Sequence, residues 1–404
     1  MQIATEAHRL WLLNQGQRLL DFSKNARVAD GFCALDGMGE KPRKAEADGI
    51  LTARMTHSFA LGALLGIPGS HAMSAHGVDC LLHRLKDPEH GGWQENRADI
   101  SGRKQAYYHA FIALAGATCK EARIEGGDVL LNAASHVLET HFWSEAEGVV
   151  YESFSADWQD REDYRGANAN MHTTEAMLAL SAATGDMKWL QRAMRILERF
   201  VHHLSRQHEY CMAEHFDADW NLLPDYNIAH KTDPLRPYGL TPGHFAEWAH
   251  LTLKAEAHAI ARLGRAPTWM CPDAEGLFRS AVEKGWCHEG KGGIVYTIDW
   301  ERRPCVTSRA HWVQAETIVA ADILYRRTGH EYYREWYQKL WDYVDLTMID
   351  PKHGSWFNEV DAEGVASGII YPGKADLYHA FQCTLSPLLP IAASLAEAIW
   401  LSKA

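Results

Sequence analysis

The sequence predicts an all-α fold, an (α/α)6 barrel in which six outer helices enclose six inner ones. Five histidines, 63, 72, 67 and 68 residues apart, each open an apolar segment rich in small residues: His109, His172, His244, His311 and His379. Helices that are apolar on all sides alternate with amphipathic ones, and short strand-like segments separate the pairs. A period this regular indicates an internal repeat whose polar groups converge at one end of the barrel.

The predicted inner helices are apolar nearly all round. Examples are HTTEAMLALSAA from His172 and AETIVAADILY from Ala315, and RMTHSFALGALLG from Arg54 adds a sixth element 55 residues before His109. A helix that is apolar on every side is buried on every side. These segments therefore form the inner ring, and their first turns carry the repeated polar residues.

The predicted outer helices are amphipathic. In MKWLQRAMRILERFVHHL, which begins at Met187, an apolar stripe lies opposite Lys188, Arg192, Arg195 and Glu198. A second such stripe covers residues 333–344, and the first 22 residues also form an amphipathic pattern. A helix of this kind packs one face on the core and presents the other to solvent.

Segments with alternating aromatic and β-branched residues precede the inner helices. They begin at Glu147, Glu209, Gly292 and Gly354 and are bounded by glycine or aspartate. This alternation predicts short β-hairpins at the end of the barrel where the histidines lie. The longest interruption, residues 224–242, contains four prolines and is expected to form an ordered loop over that opening.

Composition excludes several classes of function. The formal charge of −12 disfavours a nucleic-acid or membrane surface, because phosphate binding needs clustered lysine and arginine. Eight cysteines without a CxxC pair indicate neither a zinc site nor a disulfide framework. The N-terminus lacks a signal-peptide apolar region, and no apolar run could span a bilayer. We expect one cytoplasmic domain over residues 1–404, and the pattern does not predict an oligomeric state.

Two histidines are the strongest candidates for catalysis. Four of the five repeated histidines carry Glu or Gln three residues later, on the same helical face: Glu175, Glu247, Gln314 and Gln382. A histidine in the first turn of a helix is biased toward its neutral form, which suits a general base. We expect His244, with Glu247 to orient or re-protonate it, and His379 to act in proton transfer. His109 and His311 are equally compatible with a packing role.

Further polar residues lie at the same helix starts. Arg54 is a charge at the mouth of an apolar helix; it could stabilise a developing oxyanion, or form a structural ion pair with Glu247 or Glu316. Other residues there have the chemistry to hold a polyol by hydrogen bonds and an aromatic face: Tyr107, Asn168, Trp312 and Glu316. Tryptophan in a large helical protein is usually a core residue, so Trp312 carries little weight alone.

Known motifs for other chemistries are missing. The sequence contains no H-E-x-x-H, G-x-S-x-G, G-x-G-x-x-G or Walker motif. Histidine and glutamate pairs on facing helices build di-metal sites in some bundles, but carboxylates are too few here for a carboxylate-bridged pair. We therefore expect neither a metal nor a cofactor.

The sequence resembles the N-acylglucosamine 2-epimerase family, in its aldose–ketose isomerase branch, over essentially the whole chain. The segments that carry the resemblance are DGILTARMTHSFALG, RGANANMHTTEA, TPGHFAEWAHL and PGKADLYHAFQC. The resemblance implies an (α/α)6 barrel with His244 and His379 as the acid–base pair, surrounded by Arg54, His172 and Glu247. It also implies substrate contacts from Tyr107, Asn168, Trp312 and Glu316, and from Arg236 in the long loop.

The implied reaction interconverts mannose and fructose, with lyxose and xylulose as a possible second pair. A base moves a proton between C2 and C1 through a cis-enediolate, which Arg54 would stabilise. A 2-epimerase would return the proton to the opposite face of C2, and a sulfonated sugar would require another cation, such as one near Arg236. Two other classes stay open: a glycoside hydrolase using Glu316, Glu247 or Glu175, and a non-catalytic sugar-binding protein.

Overall fold

Inner and outer helices alternate along the chain. The computed structural model describes residues 5–95, 102–374 and 376–403. Its helices are α1 Glu6–Ser23, α2 Gly49–Leu64, α3 Ser70–Cys80, α4 Ala106–Glu121, α5 Gly127–Val137, α6 Ala167–Thr184, α7 Met187–Leu197, α8 Pro242–Leu263, α9 Met270–Gly285, α10 His311–Thr328, α11 Glu331–Thr347, α12 Tyr378–Leu385 and α13 Leu395–Leu401. Wider π-helical turns extend three outer helices over Leu81–Leu85, Leu138–Phe142 and Glu198–Leu204.

The inner helices form a closed ring. Helices α2, α4, α6, α8, α10 and α12 each pack against the next, and α12 packs against α2. Helices α3, α5, α7, α9 and α11 pack outside the preceding inner helix, and α1 packs outside α12. The short helix α13 contacts α2, α4 and α6. The predicted (α/α)6 barrel is therefore confirmed, and the N-terminal amphipathic pattern forms α1, with residues 1–4 outside the described part.

Burial follows the predicted pattern. The inner helix α10 is buried from His311 to Leu324, and α6 buries all but Asn168 and residues 182–184. On the outer helix α7 the apolar stripe is buried, at Trp189, Leu190, Ala193, Ile196 and Leu197. Side chains of both rings thus share one core, because the inner ring has no solvent-facing side.

The short strands join neighbouring repeats at one end of the barrel. They are β1 Arg27–Val28, β2 Gly31–Phe32, β3 Lys104–Gln105, β4 Trp143–Ser144, β5 Val149–Val150, β6 Ser153–Phe154, β7 Tyr164–Gly166, β8 His215–Asp217, β9 Thr297–Ile298, β10 Pro304–Val306, β11 Arg309–Ala310 and β12 Glu359–Val360. Three of them directly precede an inner helix and pair with a strand of the following repeat: β3 with β6, β7 with β8, and β11 with β12.

This pairing differs from the prediction in part. The segment from Gly292 contains the expected local hairpin β9–β10, and the segment from Glu147 contributes β5 to the hairpin β4–β5. The segments from Glu209 and Gly354 also fold back locally, through the antiparallel bridges Phe216–Leu222 and Val360–Ala366. Their strands pair in addition with β7 and β11, far away in sequence. These antiparallel pairs hold the starts of α6 and α10 at the same end of the barrel.

Candidate active site

The starts of the inner helices surround a cavity of about 330 Å³. Of the ten residues that the sequence singles out, eight line it: Arg54, Tyr107, Asn168, His172, His244, Glu247, Trp312 and His379. Two of the ten do not line it, Glu316 and Arg236. Pro234 and Leu235 of the proline-rich loop also line the cavity, together with Ile370 and Tyr371. The hydroxyl of Tyr371 donates to the carbonyl oxygen of Pro234 over 2.8 Å, so the two loops meet at the opening.

His244 lies in the first turn of α8 with a carboxylate behind it. Its Nδ1 is 2.9 Å from Oε1 of Glu214, which directly precedes β8. Pro242 begins the helix, where a missing N–H costs nothing. Gly243 follows because a Cβ there would lie 2.6 Å from the Trp312 ring. With Nδ1 on a carboxylate, the imidazole is held in one orientation and leaves Nε2 for a ligand.

His379 has the same arrangement at the start of α12. Its Nδ1 is 2.7 Å from Oε1 of Glu316, and the other oxygen of Glu316 is 2.5 Å from Nε2 of His250. Burial acts to raise the pKa of Glu316, but the hydrogen bonds from His250 and His379 outweigh it and hold that pKa well below its ordinary value. Each oxygen of Glu316 thus bonds a histidine. Glu316 therefore lies behind His379 and does not line the cavity.

Trp312 lies between the two histidines. Its ring centroid is 5.1 Å from that of His244 and 5.8 Å from that of His379, with interplanar angles of 34° and 37°. The indole thereby sets the spacing of the two imidazoles and also gives the cavity an aromatic wall. Trp312 is therefore both a packing residue and part of the cavity wall, and its contact with a sugar stays a prediction.

Arg54 extends from α2 into the cavity and is held on several sides. Its Nη2 donates to the hydroxyl of Tyr107 over 2.7 Å, and its Nη1 is 3.5 Å from Oδ2 of Asp376. The guanidinium carbon lies 4.3 Å above the centre of the Phe111 ring. The ion-pair partner is thus Asp376, whereas the sequence suggested Glu247 or Glu316.

Asp376 is a functional candidate that sequence reasoning missed. Besides Arg54, its Oδ2 lies 3.6 Å from Nε2 of both His311 and His379. Burial acts to raise the pKa of this carboxyl, but His379, Arg54 and His311 outweigh it and lower the pKa. The available signal was its position three residues before His379, where its Oδ1 accepts from the backbone N–H of that histidine over 3.3 Å.

Glu247 contacts His172 rather than His244. Its Oε1 is 3.5 Å from Nδ1 of His172, and Glu175 is 3.9 Å from the same nitrogen. Burial lowers the pKa of His172 to about 4. Burial, with the carboxylates of Glu316 and Glu175, raises the pKa of Glu247 well above its ordinary value. The carboxylate that orients His244 is therefore Glu214, for which the sequence held only a weak signal, a glutamate within the buried run CMAEHF.

The other repeated polar residues have structural partners. His109 is fully buried; its Nδ1 bonds the carbonyl oxygen of Gln105 over 2.7 Å, and its Nε2 accepts from the backbone N–H of Trp93 over 3.0 Å. Gln314 bonds both backbone groups of Ile294. These side chains attach hairpin backbone to the inner helices, so the packing interpretation of His109 is correct.

Asn168 and Arg236 are placed differently from each other. Asn168 lines the cavity and donates from Nδ2 to the carbonyl oxygen of Leu235 over 3.2 Å, which ties the long loop to α6. Arg236 lines a neighbouring groove and is neutralised by Glu162, 2.7 Å away, and Glu152, 3.4 Å away. Arg236 is therefore not brought into the cavity with the other candidates.

The described His, Cys, Asp and Glu side chains are not arranged like the ligands of a metal centre. Among the residues that the structure describes, no group of three or more His, Cys, Asp or Glu side chains is arranged to hold a metal ion. Catalysis without a metal stays a prediction. Within the same ranges, no helix has the length and apolar character needed to cross a membrane.

The two carboxylate-backed histidines, facing one cavity beside an arginine, are arranged for acid–base chemistry on a small polar molecule. The chain belongs to the N-acylglucosamine 2-epimerase (GlcNAc 2-epimerase) family, whose profile matches residues 31–383. The resemblance noted from the sequence is thereby confirmed.

Its relatives include two bacterial proteins of nearly equal length. A D-mannose isomerase of Pseudomonas cannabina pv. alisalensis is 46% identical over 400 residues, covering 98% of this chain and 96% of that protein. A D-mannose isomerase of Thermobifida fusca is 44% identical over 402 residues, covering 98% of each. A crystal structure of D-mannose isomerase superposes with a TM-score of 0.84 at 27% identity, over 94% of this chain and 97% of that one.

Proposed function

We propose that this protein is a D-mannose isomerase, which interconverts D-mannose and D-fructose by proton transfer through a cis-enediolate. The observation that carries the proposal is the pair of imidazoles, His244 and His379, each with Nδ1 on a buried glutamate and both beside one cavity. Relatives at 46% and 44% identity that carry this name support the choice of reaction.

The roles follow from position. His379 moves the proton between C2 and C1, since Glu316 holds Nδ1 and keeps Nε2 available as a base. His244 opens the sugar ring and moves protons among the oxygens, with Glu214 behind it. Arg54 stabilises the enediolate, because a planar guanidinium can meet two oxygens at once. Tyr107, Asn168, His172, Glu247 and Trp312 hold the hydroxyl groups and the apolar face of the sugar.

A small, uncharged sugar suits the cavity best. Its volume of about 330 Å³ lies at the low end of the range for ligand sites, which favours a monosaccharide. Arg54 is the one arginine or lysine lining it among the described residues, and Asp376 already neutralises it in part. Arg236, the cation considered for a sulfonate, lies outside and is paired. Mannose is therefore preferred, and lyxose, which lacks only C6, is the expected second substrate.

The hydrolase alternative loses support from the same geometry. Of the three glutamates considered for it, Glu316 bonds two histidines and Glu175 accepts from the hydroxyl of Tyr378, so only Glu247 lines the cavity. We further propose that residues 1–404 act as one catalytic domain in the cytoplasm, without a metal, a cofactor or a nucleic-acid partner.

The test is incubation with a panel of free aldoses and ketoses in D2O, with chromatography of the products and detection of carbon-bound deuterium. We expect mannose and fructose to interconvert, with some label at carbon. Conversion of mannose to glucose without ketose would indicate a 2-epimerase. Release of reducing sugar from mannosides would indicate a hydrolase.

A further inference from the structure

A buried lysine lies on the barrel axis beneath the candidate active site. Lys254 is on the same face of α8 as Glu247 and His250, seven and four residues after them. It is 8% exposed and lines two small cavities, one shared with Glu247 and one beside Arg326. A mostly buried ammonium group is costly unless a counter-charge lies near it, so the groups that share its cavity matter.

The surroundings of Lys254 contain an excess of carboxylates. Together with Glu175, Glu247 and Glu316 it lines a cavity of about 10 Å³ within the ring of inner helices, the axial cavity. That volume holds about one water molecule, and the lining offers the two to four polar partners that a buried water requires.

Among the described residues, the three carboxylates differ in how their oxygens are bonded. Both oxygens of Glu316 bond histidines, and Glu175 is bonded to Tyr378. Oε1 of Glu247 lies near His172, whereas Oε2 of Glu247 is buried with no partner. Lys254 and Glu247, with its unpartnered oxygen, line the same small cavity.

We propose that Lys254 is a positioning residue for Glu247: its ammonium group donates through a water molecule in the axial cavity to Oε2 of Glu247. Lys254 also supplies the counter-charge for the three carboxylates. It thereby holds the Glu247 side chain toward His172 and the sugar and controls its proton. The inference rests on the proposed function for what Glu247 does, but the contact itself does not depend on the substrate.

Every inner helix contributes a titratable group near Glu247. They are Arg54 from α2, Tyr107 from α4, His172 and Glu175 from α6, Lys254 from α8, Glu316 from α10 and Tyr378 from α12. Of the cations, Arg54 and Lys254 lower the pKa of Glu247, against burial and the two neighbouring carboxylates. Removing Lys254 should therefore raise that pKa further.

The test compares Lys254→Met, which keeps the length and loses the charge, with Val319→Ala, which changes the same cavity without a charge. In Lys254→Met we expect the limb of the pH profile that depends on Glu247 to move to higher pH. We also expect kcat to fall by roughly tenfold, less than the loss of a proton-transfer residue, with KM little changed. Val319→Ala should keep the wild-type profile.

Two measurements do not depend on turnover. Infrared spectra, with Glu247→Gln to assign the band, should show more protonated Glu247 in Lys254→Met than in the wild type at the same pH. A high-resolution crystal structure of the wild type should show a water within hydrogen-bond distance of both groups. The proposal would be overturned if Lys254→Met and the wild type gave the same pH profile and the same infrared spectrum. It would also be overturned if the crystal structure showed the Lys254 ammonium group bonded directly to another protein group. If the wild type makes no fructose, the proposed function fails while these two measurements still decide the contact.

Discussion

Glu316 bonds His379 through one oxygen and His250 through the other, over 2.7 and 2.5 Å. The glutamate comes from α10 and the two imidazoles from α12 and α8, so one carboxylate connects three inner helices. Glu214 bonds His244 in the same way as Glu316 bonds His379, from a loop. In each case the carboxylate selects the tautomer and orientation of the imidazole that faces the cavity.

Glu316→Gln and Glu214→Gln should lower kcat by about 10- to 100-fold with little change in KM, because an amide does not stabilise the imidazolium formed during proton transfer. Steady-state kinetics on mannose and on fructose would measure this. Glu145→Gln, at an exposed glutamate, is the matched control. Near-normal turnover in both variants would show that the carboxylates act only in packing.

His379→Asn should abolish both isomerisation and deuterium incorporation while sugar binding persists, since asparagine is polar but cannot act as a base. His244→Asn should be inactive on the cyclic sugar, because ring opening precedes enolisation. His136→Asn, on the exposed side of α5, serves as the control. If His379→Asn retains wild-type turnover, the base is another residue.

Arg54→Lys should lower kcat far more than it raises KM. A lysine can reach Tyr107 or Asp376, but it cannot offer a planar fork to both enediolate oxygens. A thermal scan beside the kinetic assay separates the roles: a structural arginine would show a lower Tm with turnover preserved in the folded fraction. The companion variant Tyr107→Phe removes the hydroxyl that accepts from Arg54 and should have the smaller effect.

Activity should survive exhaustive chelation, because the candidate proton-transfer groups are imidazoles oriented by carboxylates. The measurement is the isomerisation rate after dialysis against a strong chelator, with and without added divalent ions. Loss of activity that one divalent ion restores would refute the mechanism proposed here.

The stability of the protein should respond to pH through His109. Burial lowers its pKa to about 3, below the value of about 6.5 expected in the unfolded chain. Above pH 6.5 both states are neutral and the shift contributes nothing. As pH falls from about 6.5 toward 3, the unfolded state gains the proton first, and stability is lost by up to about 1.4 kcal/mol per pH unit.

His109→Gln removes the titratable imidazole. Comparison with the wild type should therefore isolate the effect of His109 protonation on stability. Near pH 8 the variant should be less stable than the wild type, since it loses the bond to Trp93. Urea unfolding at a series of pH values should show the difference narrowing on acidification. Parallel stability curves would mean that His109 does not titrate differently in the two states.

Much of the barrel could be predicted from local patterns. The all-round burial of the inner helices and the stripe of α7 follow from helical periodicity, which a few successive residues determine. The histidines and Arg54 lie within the first two turns of inner helices, so most candidate residues reach the same cavity once the ring closes. The pattern at the helix starts favoured His244 and His379 for proton transfer, and the resemblance to the family added that they form the acid–base pair.

Tertiary structure decided which polar groups pair. Spacing placed Glu247 beside His244, but the partner of that histidine is Glu214, 30 residues earlier, and the partner of His379 is Glu316, 63 residues earlier. Likewise β8 and β12 pair with strands of another repeat. The physical reason is that i, i+3 spacing sets only which helical face a residue occupies. The contacts across the ring depend on how six helices are rotated and packed, and no local signal carries that information.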